Sequence, residues 1–385
     1  MDEKPSLPRR SKSAATFLTY VRERMDTFLD RPLCAIDSLV FSWLAYAHLG
    51  EDQVNACLPE GIALHEMLRA EEFDNMFGST WDPEGSRDLL FAVCASPRFR
   101  DARLTLFRFK TARSAEEQFA AMTFILPDGS SYVAFRGTDS TIVGWKEDFN
   151  MTFLNPVPAQ EEARAYLEYV ASVTAGPLYV GGHSKGGNLA VYAAAFCPAA
   201  LQERIAAVYN NDGPGFDAEV IALPGYQRIC ARVQTFVPQS SIVGMLLEHE
   251  EAYTIIHSTG DGFGQHNLYT WEVLRDRFVT LETVTNGSRF LDRTLKQWLA
   301  GLEPEQRERT IDTVYHMLCE TNAETLHELK ENRFSRALAL LRSAKGLDED
   351  TRKLLVHAAG VFFRSAGRSL KQARVPDDEK TTEAG

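Results

Sequence analysis

The sequence predicts an α/β fold, with a mostly parallel sheet flanked by helices and a C-terminal α-helical region. Short apolar runs alternate with helical patterns between residues 104 and 257, and most of these runs end in polar or glycine-rich loops. From about residue 289, glycine and β-branched residues become rare, and helical patterns continue to residue 374. Strands that alternate with helices favour a parallel sheet covered on both faces, with ligand sites beyond the carboxyl ends of its strands.

Each element is predicted from the spacing of its apolar residues. An apolar face at helical spacing indicates helices over residues 37–47 and 161–175. Apolar or alternating runs indicate strands over residues 104–109, 118–126, 131–135, 205–210, 229–237 and 252–257. Pro127, Asp128 and Gly129 indicate a tight turn, so the second and third of these strands are expected to form a hairpin.

Composition and charge narrow the classes of function. The 385 residues, 44% hydrophobic and 24% charged, have the composition of an ordinary globular protein. The formal charge of −12 argues against nucleic-acid binding and against a surface built for anionic lipid. The six cysteines are scattered without a C-x-x-C pair, which is typical of free thiols rather than of disulfides or a zinc site.

The sequence also predicts a cytoplasmic location. The residues from Met1 onward carry charges without the continuous apolar core of a secretory signal, and no apolar run is long enough to span a bilayer. Residues 352–364 are basic and amphipathic, so they could touch a membrane or a lipid substrate. Packing on its own domain is the commoner role of such a stripe, and we expect that role here. The sequence does not predict an oligomeric state.

The most informative stretch of the chain is residues 178–190, LYVGGHSKGGNLA. A short apolar run ends in glycines, presents Ser184 and passes directly into an alanine-rich helical pattern that stops near Pro198. This is the pattern of a nucleophile elbow, a sharp strand-to-helix turn that exposes a serine above the end of a sheet. Gly182 and Gly186 stand where such a turn leaves little room for side chains. The sequence therefore predicts an α/β-hydrolase fold with Ser184 as nucleophile; the alternative is a glycine-rich turn whose serine only caps a helix.

Two motifs resemble the class 3 lipases. Residues 132–138, YVAFRGT, followed by Trp145 and Asp148, resemble the oxyanion-loop strand of those enzymes. Residues 182–187, GHSKGG, resemble their elbow, with lysine where those lipases usually have leucine.

That lysine, together with residues 210–216 and 237–247, makes the chain more similar to a bacterial family of α/β-hydrolases related to class 3 lipases. The resemblance covers residues 30–275. It implies hydrolysis of a carboxylic ester and no metal or organic cofactor.

We divide the chain into four parts by composition and by this resemblance. Residues 1–30 are polar and basic and are expected to form a flexible N-terminal arm, and residues 31–288 form the lipase-like α/β-hydrolase domain. Residues 289–374 form the C-terminal helical region, and residues 375–385 form a disordered acidic tail.

Ser184 needs a base within hydrogen-bond reach, and that base needs an acid to fix its tautomer. In this fold the order along the chain is serine, acid, histidine, so His249, His257 and His266 are the candidates ahead of the helical region. We predict His266, because it lies in a glycine-rich loop, residues 260–267, after the last strand. The matching Gln-His pair of the related family supports this choice. His257 lies in or at the end of that strand, and His249 lies in an acidic segment.

The acid is the least determined member of the site. Class 3 lipases place an aspartate after the second strand that follows the elbow, where this chain has PQSS at residues 238–241. Asp212 ends the first strand after the elbow, a position that some hydrolases of this fold use. We predict Asp212, with Asp261 and Glu248 as alternatives; a purely structural Asp212 would cap its own turn.

An oxyanion hole needs two N–H donors about 3 Å from the developing negative oxygen. One is expected from the backbone of Lys185, directly after the nucleophile, and the other from Thr138, whose hydroxyl could add a third hydrogen bond. Two roles stay open for the Lys185 side chain: binding an anionic group of the substrate, or simple solvation. Arg136 is expected to be structural, with Asp148 as its partner.

These residues predict a serine hydrolase that forms an acyl-enzyme on Ser184, with His266 as base and then acid and Asp212 orienting its ring. The expected partner is a small-molecule ester or lipid substrate, with a thioester or an amide as alternatives. The competing interpretation is a catalytically weak or inactive binding or regulatory protein that uses the helical region as its interaction surface. The missing aspartate after residues 236–237 favours that interpretation, and a carboxylate against the His266 ring would count against it.

Overall fold

The computed structural model describes residues 15–55, 57–58, 60–78, 80–112, 117–138, 156–241, 243–245, 247–260 and 262–285, together with positions 349 and 353. Apart from those two positions, the predicted C-terminal helical region and acidic tail lie outside the described residues.

The α-helices are α1 (Phe17–Glu23), α2 (Ala35–Leu44), α3 (Glu51–Asn55), α4 (Phe73–Phe77), α5 (Pro83–Ala95), α6 (Pro158–Val173), α7 (Lys185–Phe196), α8 (Ala199–Gln202), α9 (Ala218–Ile221) and α10 (Pro224–Ile229). The strands are β1 (Ile62–Ala63), β2 (Arg103–Ala112), β3 (Glu117–Ile125), β4 (Ser131–Phe135), β5 (Leu178–His183), β6 (Ile205–Asn211), β7 (Val233–Pro238), β8 (Tyr253–Ile256), β9 (Val273–Leu274), β10 (Arg277–Phe278) and β11 (Thr280–Leu281). Among the described residues, no helix has the length and apolar character needed to cross a bilayer.

One nine-stranded sheet organises the domain, in the order β1-β2-β3-β4-β5-β6-β7-β8-β11. The five central strands, β4 to β8, pair in parallel, and the strands outside them pair antiparallel. The hairpin of β3 and β4 forms as predicted, with Met122 opposite Ala134. The predicted α/β class, a mostly parallel central sheet flanked by helices, is confirmed.

Helices cover both faces of the sheet, and β4 shows how the two cores are divided. Tyr132 and Ala134 enter the hydrophobic cluster formed with α1, α2 and α5. Val133 and Phe135, which alternate with them, enter the second cluster with α6 and α7. Because successive side chains of a strand point to opposite faces, an almost fully apolar strand is what a sheet buried on both sides requires.

The prediction of a strand over residues 229–237 is wrong in its first part. Pro224–Ile229 is helical, a 3₁₀ turn follows at Cys230–Arg232, and the strand begins at Val233. Pro224 at the first turn of the helix is the local signal for this, because proline needs no amide partner there.

The flexible arm predicted for residues 1–30 is wrong for its described part. Phe17, Tyr20 and Val21 are at most 4% exposed and pack in the hydrophobic core. The Tyr20 hydroxyl donates to a carboxylate oxygen of Asp37 at 2.9 Å. The spacing i, i+3, i+4 of these three apolar residues is that of a helix face turned to a core.

The parallel strands bring the predicted site residues to one edge of the sheet. Thr138, Ser184 and Asp212 each follow the carboxyl end of a central strand, β4, β5 and β6 respectively. Neighbouring parallel strands end side by side, so the loops that carry these residues meet above the sheet.

Candidate active site

Ser184 occupies a sharp turn between β5 and α7. Its backbone has φ 58° and ψ −133°, a conformation that residues other than glycine rarely adopt. Its N–H donates to the Asn211 carbonyl at 3.0 Å, which ties the turn to the neighbouring strand β6. The strand β5 ends at His183 and the helix α7 begins at Lys185, so this strained serine is the single residue between them.

The glycines around Ser184 are required by close backbone contacts. A Cβ on Gly182 would collide with the backbone of Gly186, and a Cβ on Gly186 would collide with the carbonyl of Phe135 at the end of β4. The helix α7 can therefore approach the sheet edge only because both positions lack side chains.

The first turn of α7 lies directly beside the serine. Ser184 is the residue before the first helical residue, Lys185, and α7 continues for 12 residues. Helix N-termini leave N–H groups without intrahelical partners and carry a partial positive charge, so negative charge beside Ser184 is stabilised.

His266 and Asp212 form a close pair. Nδ1 of His266 lies 2.6 Å from Oδ2 of Asp212. The histidine side chain is 14% exposed and the aspartate side chain 1% exposed, so the contact is largely shielded from water. A carboxylate on Nδ1 makes Nδ1 the protonated ring nitrogen and leaves Nε2 as the acceptor for a proton.

Asp212 is fixed by its backbone and by a neighbouring serine. Its backbone lies in the left-handed region, at φ 55°, and its N–H donates to the Phe236 carbonyl at 2.8 Å. The hydroxyl of Ser241 donates to the other carboxylate oxygen at 2.5 Å. Ser241 belongs to the segment 238–241, so this segment contributes a hydrogen-bond donor to Asp212 rather than a carboxylate.

The other two histidine candidates pair elsewhere. His249 Nδ1 lies 3.1 Å from Glu251, and its Nε2 lies 2.8 Å from the Gly244 carbonyl. His257 Nδ1 lies 2.7 Å from Glu272. Of the alternative acids, Glu248 is exposed and its backbone pairs with that of Phe216, and Asp261 lies outside the described residues.

His183, the residue before the nucleophile, links the elbow to the loop of His266. Its Nε2 lies 2.8 Å from the His266 carbonyl, and the two imidazole rings are 4.4 Å apart between centroids. Burial lowers the pKa of His183 well below its usual range, and the nearby His266 lowers it further. The ring is therefore neutral and donates from Nε2, because a carbonyl can only accept.

The predicted oxyanion segment lies against the elbow. A Cβ on Gly137 would collide with the His183 carbonyl and approach the Ser184 Cβ to 3.1 Å. Thr138, the next residue, is 5% exposed, and its carbonyl accepts a hydrogen bond of 3.4 Å from the Trp81 indole. Trp145 and Asp148, which complete the resemblance to the lipase motif, lie outside the described residues.

The Lys185 side chain is not solvated. It is 1% exposed, and its Nζ donates to the Gln118 carbonyl on β3 at 2.8 Å. Solvation, one of its two expected roles, is therefore wrong. The ammonium group ties the elbow helix to the sheet across β4, which lies between β3 and β5.

A family model for Mbeg1-like proteins matches residues 93–316, more than half of the chain. The chain belongs to the Mbeg1-like family, which is lipase-like. The family match includes Thr138, Ser184, Asp212 and His266, and it excludes α1, α2 and α3. A comparison with curated proteins finds no match to this chain.

Solved lipase structures are distantly similar. One is a triacylglycerol lipase whose catalytic centre is described as a serine-protease triad; it is 17% identical, with 60% of this chain and 82% of that chain covered and a TM-score of 0.34. A fungal lipase–inhibitor complex gives 17% identity, 51% and 79% coverage and a TM-score of 0.33. The native Rhizomucor miehei lipase–propeptide complex gives 14% identity, 75% and 86% coverage and a TM-score of 0.35. Because these TM-scores are low, the fold is assigned from the strand order of this structure.

Within the described ranges, no group of three or more His, Cys, Asp or Glu side chains is arranged to hold a metal ion. The chemistry available at the sheet edge is that of a serine hydroxyl, an imidazole and a carboxylate.

Proposed function

We propose that this protein is a serine hydrolase that cleaves carboxylic esters through an acyl-enzyme on Ser184. One observation carries the proposal: the His266–Asp212 pair, 2.6 Å apart, stands at the same sheet edge as a serine held at φ 58° in an elbow. An imidazole oriented by a buried carboxylate is the base that such a serine requires.

In the proposed first half-reaction, Ser184 Oγ attacks the ester carbonyl and its proton passes to Nε2 of His266. The tetrahedral intermediate collapses when His266 returns this proton to the leaving alkoxide, which departs as an alcohol. Water then attacks the acyl-enzyme, again with His266 taking a proton, and the carboxylic acid and free Ser184 are released. Asp212 stabilises the imidazolium that forms twice in this cycle.

The proposed oxyanion donors are the backbone N–H of Lys185 and the backbone and hydroxyl of Thr138. Lys185 begins α7 directly after Ser184, so its backbone N–H lies at the positive end of the helix dipole, next to the nucleophile. The packing of Gly137 on the Ser184 Cβ supports Thr138, because it brings the next amide beside the nucleophile. We propose a small ester or lipid as substrate and no organic cofactor.

One observation favours the second candidate, a catalytically weak or inactive protein on the same fold. The resemblance to the class 3 lipases predicts an aspartate within residues 238–241, and this segment, PQSS, contains no carboxylate. The Asp212 carboxylate lies against the His266 ring, and this contact counts against the second candidate.

The test is labelling with a fluorophosphonate, followed by intact mass. We expect one adduct on the wild-type protein and none on Ser184→Ala or His266→Ala. His257→Ala is the matched control, because it removes a histidine that also pairs with a carboxylate but lies outside the site, and it should label like wild type. Folded wild-type protein without an adduct would overturn the proposal in favour of the second candidate.

A further inference from the structure

The turn that follows α2, residues 45–47, contacts the end of the oxyanion strand. The Arg136 guanidinium donates from Nε to the Ala45 carbonyl at 2.7 Å and from its terminal nitrogen to the Ala47 carbonyl at 3.0 Å. Arg136 is 3% exposed and directly precedes Gly137 and Thr138. The arginine therefore fixes the position of the turn relative to the predicted oxyanion segment, because both of its carbonyl contacts are buried and charge-assisted.

The middle residue of the same turn contacts the elbow. The Tyr46 hydroxyl lies 2.9 Å from Nδ1 of His183, and Tyr46 is 3% exposed. His183 donates from Nε2 to the His266 carbonyl, so its neutral ring keeps a lone pair on Nδ1. Tyr46 is therefore the donor in this contact, and the order of donation runs from Tyr46 to His183 to His266.

The predicted oxyanion segment, residues 136–138, also contacts the Tyr46 hydroxyl, through Gly137. A Cβ at this position would collide with the Tyr46 hydroxyl oxygen and with the His183 carbonyl. The oxyanion segment thus packs on the Tyr46 hydroxyl and the elbow at once. No residue larger than glycine fits this contact without displacing one of the three segments.

We propose that Tyr46 is a positioning residue of the active site, whose hydroxyl holds the oxyanion segment, the elbow and the loop of His266 in one arrangement. The inference rests on the proposed function. His266 is then held at two points: its ring by Asp212 and its backbone carbonyl by His183, which Tyr46 orients. Tyr46 moves no proton in the reaction and acts only through His183 and Gly137. It lies ahead of residues 93–316, so this support comes from outside the family match.

The test is Tyr46→Phe, which removes one oxygen atom and keeps the ring. Tyr166→Phe is the matched control, because the Tyr166 hydroxyl is equally buried and donates to the Leu106 carbonyl away from the site. We expect Tyr46→Phe to slow fluorophosphonate labelling roughly 10- to 100-fold and to lower kcat for p-nitrophenyl acetate with KM nearly unchanged. Tyr166→Phe should label at the wild-type rate. Equal labelling rates in the two variants, with equal changes in Tm, would overturn the inference.

A second measurement separates this inference from the proposed function. Hydrogen exchange of the backbone amides of residues 264–268 should be faster in Tyr46→Phe than in Tyr166→Phe, because the His266 carbonyl loses its oriented partner. If the wild-type protein does not label at all, the proposed function fails, and this comparison alone decides whether Tyr46 positions the loop. Equal exchange in the two variants would then overturn the inference as well.

Discussion

Ser241 donates a hydrogen bond to Asp212, with 2.5 Å between its Oγ and Oδ1 of the carboxylate. The backbone N–H of Gly244 donates to the same serine oxygen at 3.0 Å, so the hydroxyl proton is directed to the carboxylate. The two oxygens of the buried Asp212 carboxylate thus have different partners: Oδ1 accepts from Ser241, and Oδ2 pairs with His266.

We predict that Ser241→Ala lowers kcat/KM on the order of 10-fold and destabilises the fold by about 1–3 kcal/mol, because a buried carboxylate oxygen loses its donor. Ester hydrolysis and urea unfolding measure the two effects. Ser240→Ala is the control: the neighbouring serine pairs with Thr285 at 3.0 Å on the exposed side. If the two variants behave alike, Ser241 does not support Asp212.

A second prediction separates the three candidate acids. Asp212→Asn should lower kcat by about 10³- to 10⁴-fold, because the amide favours the wrong tautomer of His266 while keeping its shape. Glu248→Gln and Asp261→Asn should stay near wild type in the same ester assay. If one of those two variants lost a comparable share of kcat and Asp212→Asn kept the wild-type value, the carboxyl removed in that variant would be the acid.

The buried ammonium of Lys185 is predicted to stabilise the fold. Lys185→Met should lower the free energy of unfolding by about 1–3 kcal/mol, because the Gln118 carbonyl loses its donor in a site closed to water. Lys110→Met is the control, since Lys110 is half-exposed in its pair with Glu162 and should cost less than about 1 kcal/mol. Urea denaturation of both variants decides, and equal midpoints would contradict the prediction.

The stability of the protein should fall in acid because of Glu251. Burial alone would raise the pKa of this carboxyl, but hydrogen bonds from His249, Thr235 and Tyr226, together with the charge of His249, lower it to about 2. A carboxyl with a lowered folded pKa stabilises the fold above its unfolded pKa of about 4.3 and loses this contribution as the pH falls towards 2.

Between those two pH values we expect Glu251 to account for a loss of about 2 kcal/mol. Glu251→Gln should therefore show a flatter dependence of stability on pH in that window than wild type. Glu272→Gln, which removes the more exposed partner of His257, should keep the wild-type slope. Thermal unfolding at several pH values gives the comparison, and parallel wild-type and Glu251→Gln curves would refute it.

Local patterns were enough to predict the mostly parallel sheet and the hairpin of β3 and β4. The conformations of the turn at Ser184 and of strands β4 to β6 depend on residues close in sequence, because side-chain periodicity and turn sterics are local. The strained Ser184 backbone follows from the same short segment. The roles of Ser184, His266 and Asp212 stay predictions, although the structure brings the last two together.

Contacts between distant segments were not predictable in the same way. Tyr46 lies 137 residues from His183, and nothing in the apolar pattern around it distinguishes a site residue from a core residue. For the Lys185 side chain the sequence left two roles open, and its burial follows only from a contact with a distant segment, the Gln118 carbonyl on β3. The helix α1 could have been predicted from the apolar spacing of Phe17, Tyr20 and Val21, but the charged residues around them favoured the interpretation of a flexible arm.

The left-handed backbone of Ser184 has a consequence for how selection has shaped the chain. A side chain in this conformation costs on the order of 1–3 kcal/mol, which a glycine would avoid. Ser184→Gly should therefore be more thermostable than the natural protein, while Gly182→Ala or Gly186→Ala should unfold it. Position 184 therefore keeps a serine hydroxyl that the fold does not require, although a glycine there would make the fold more stable.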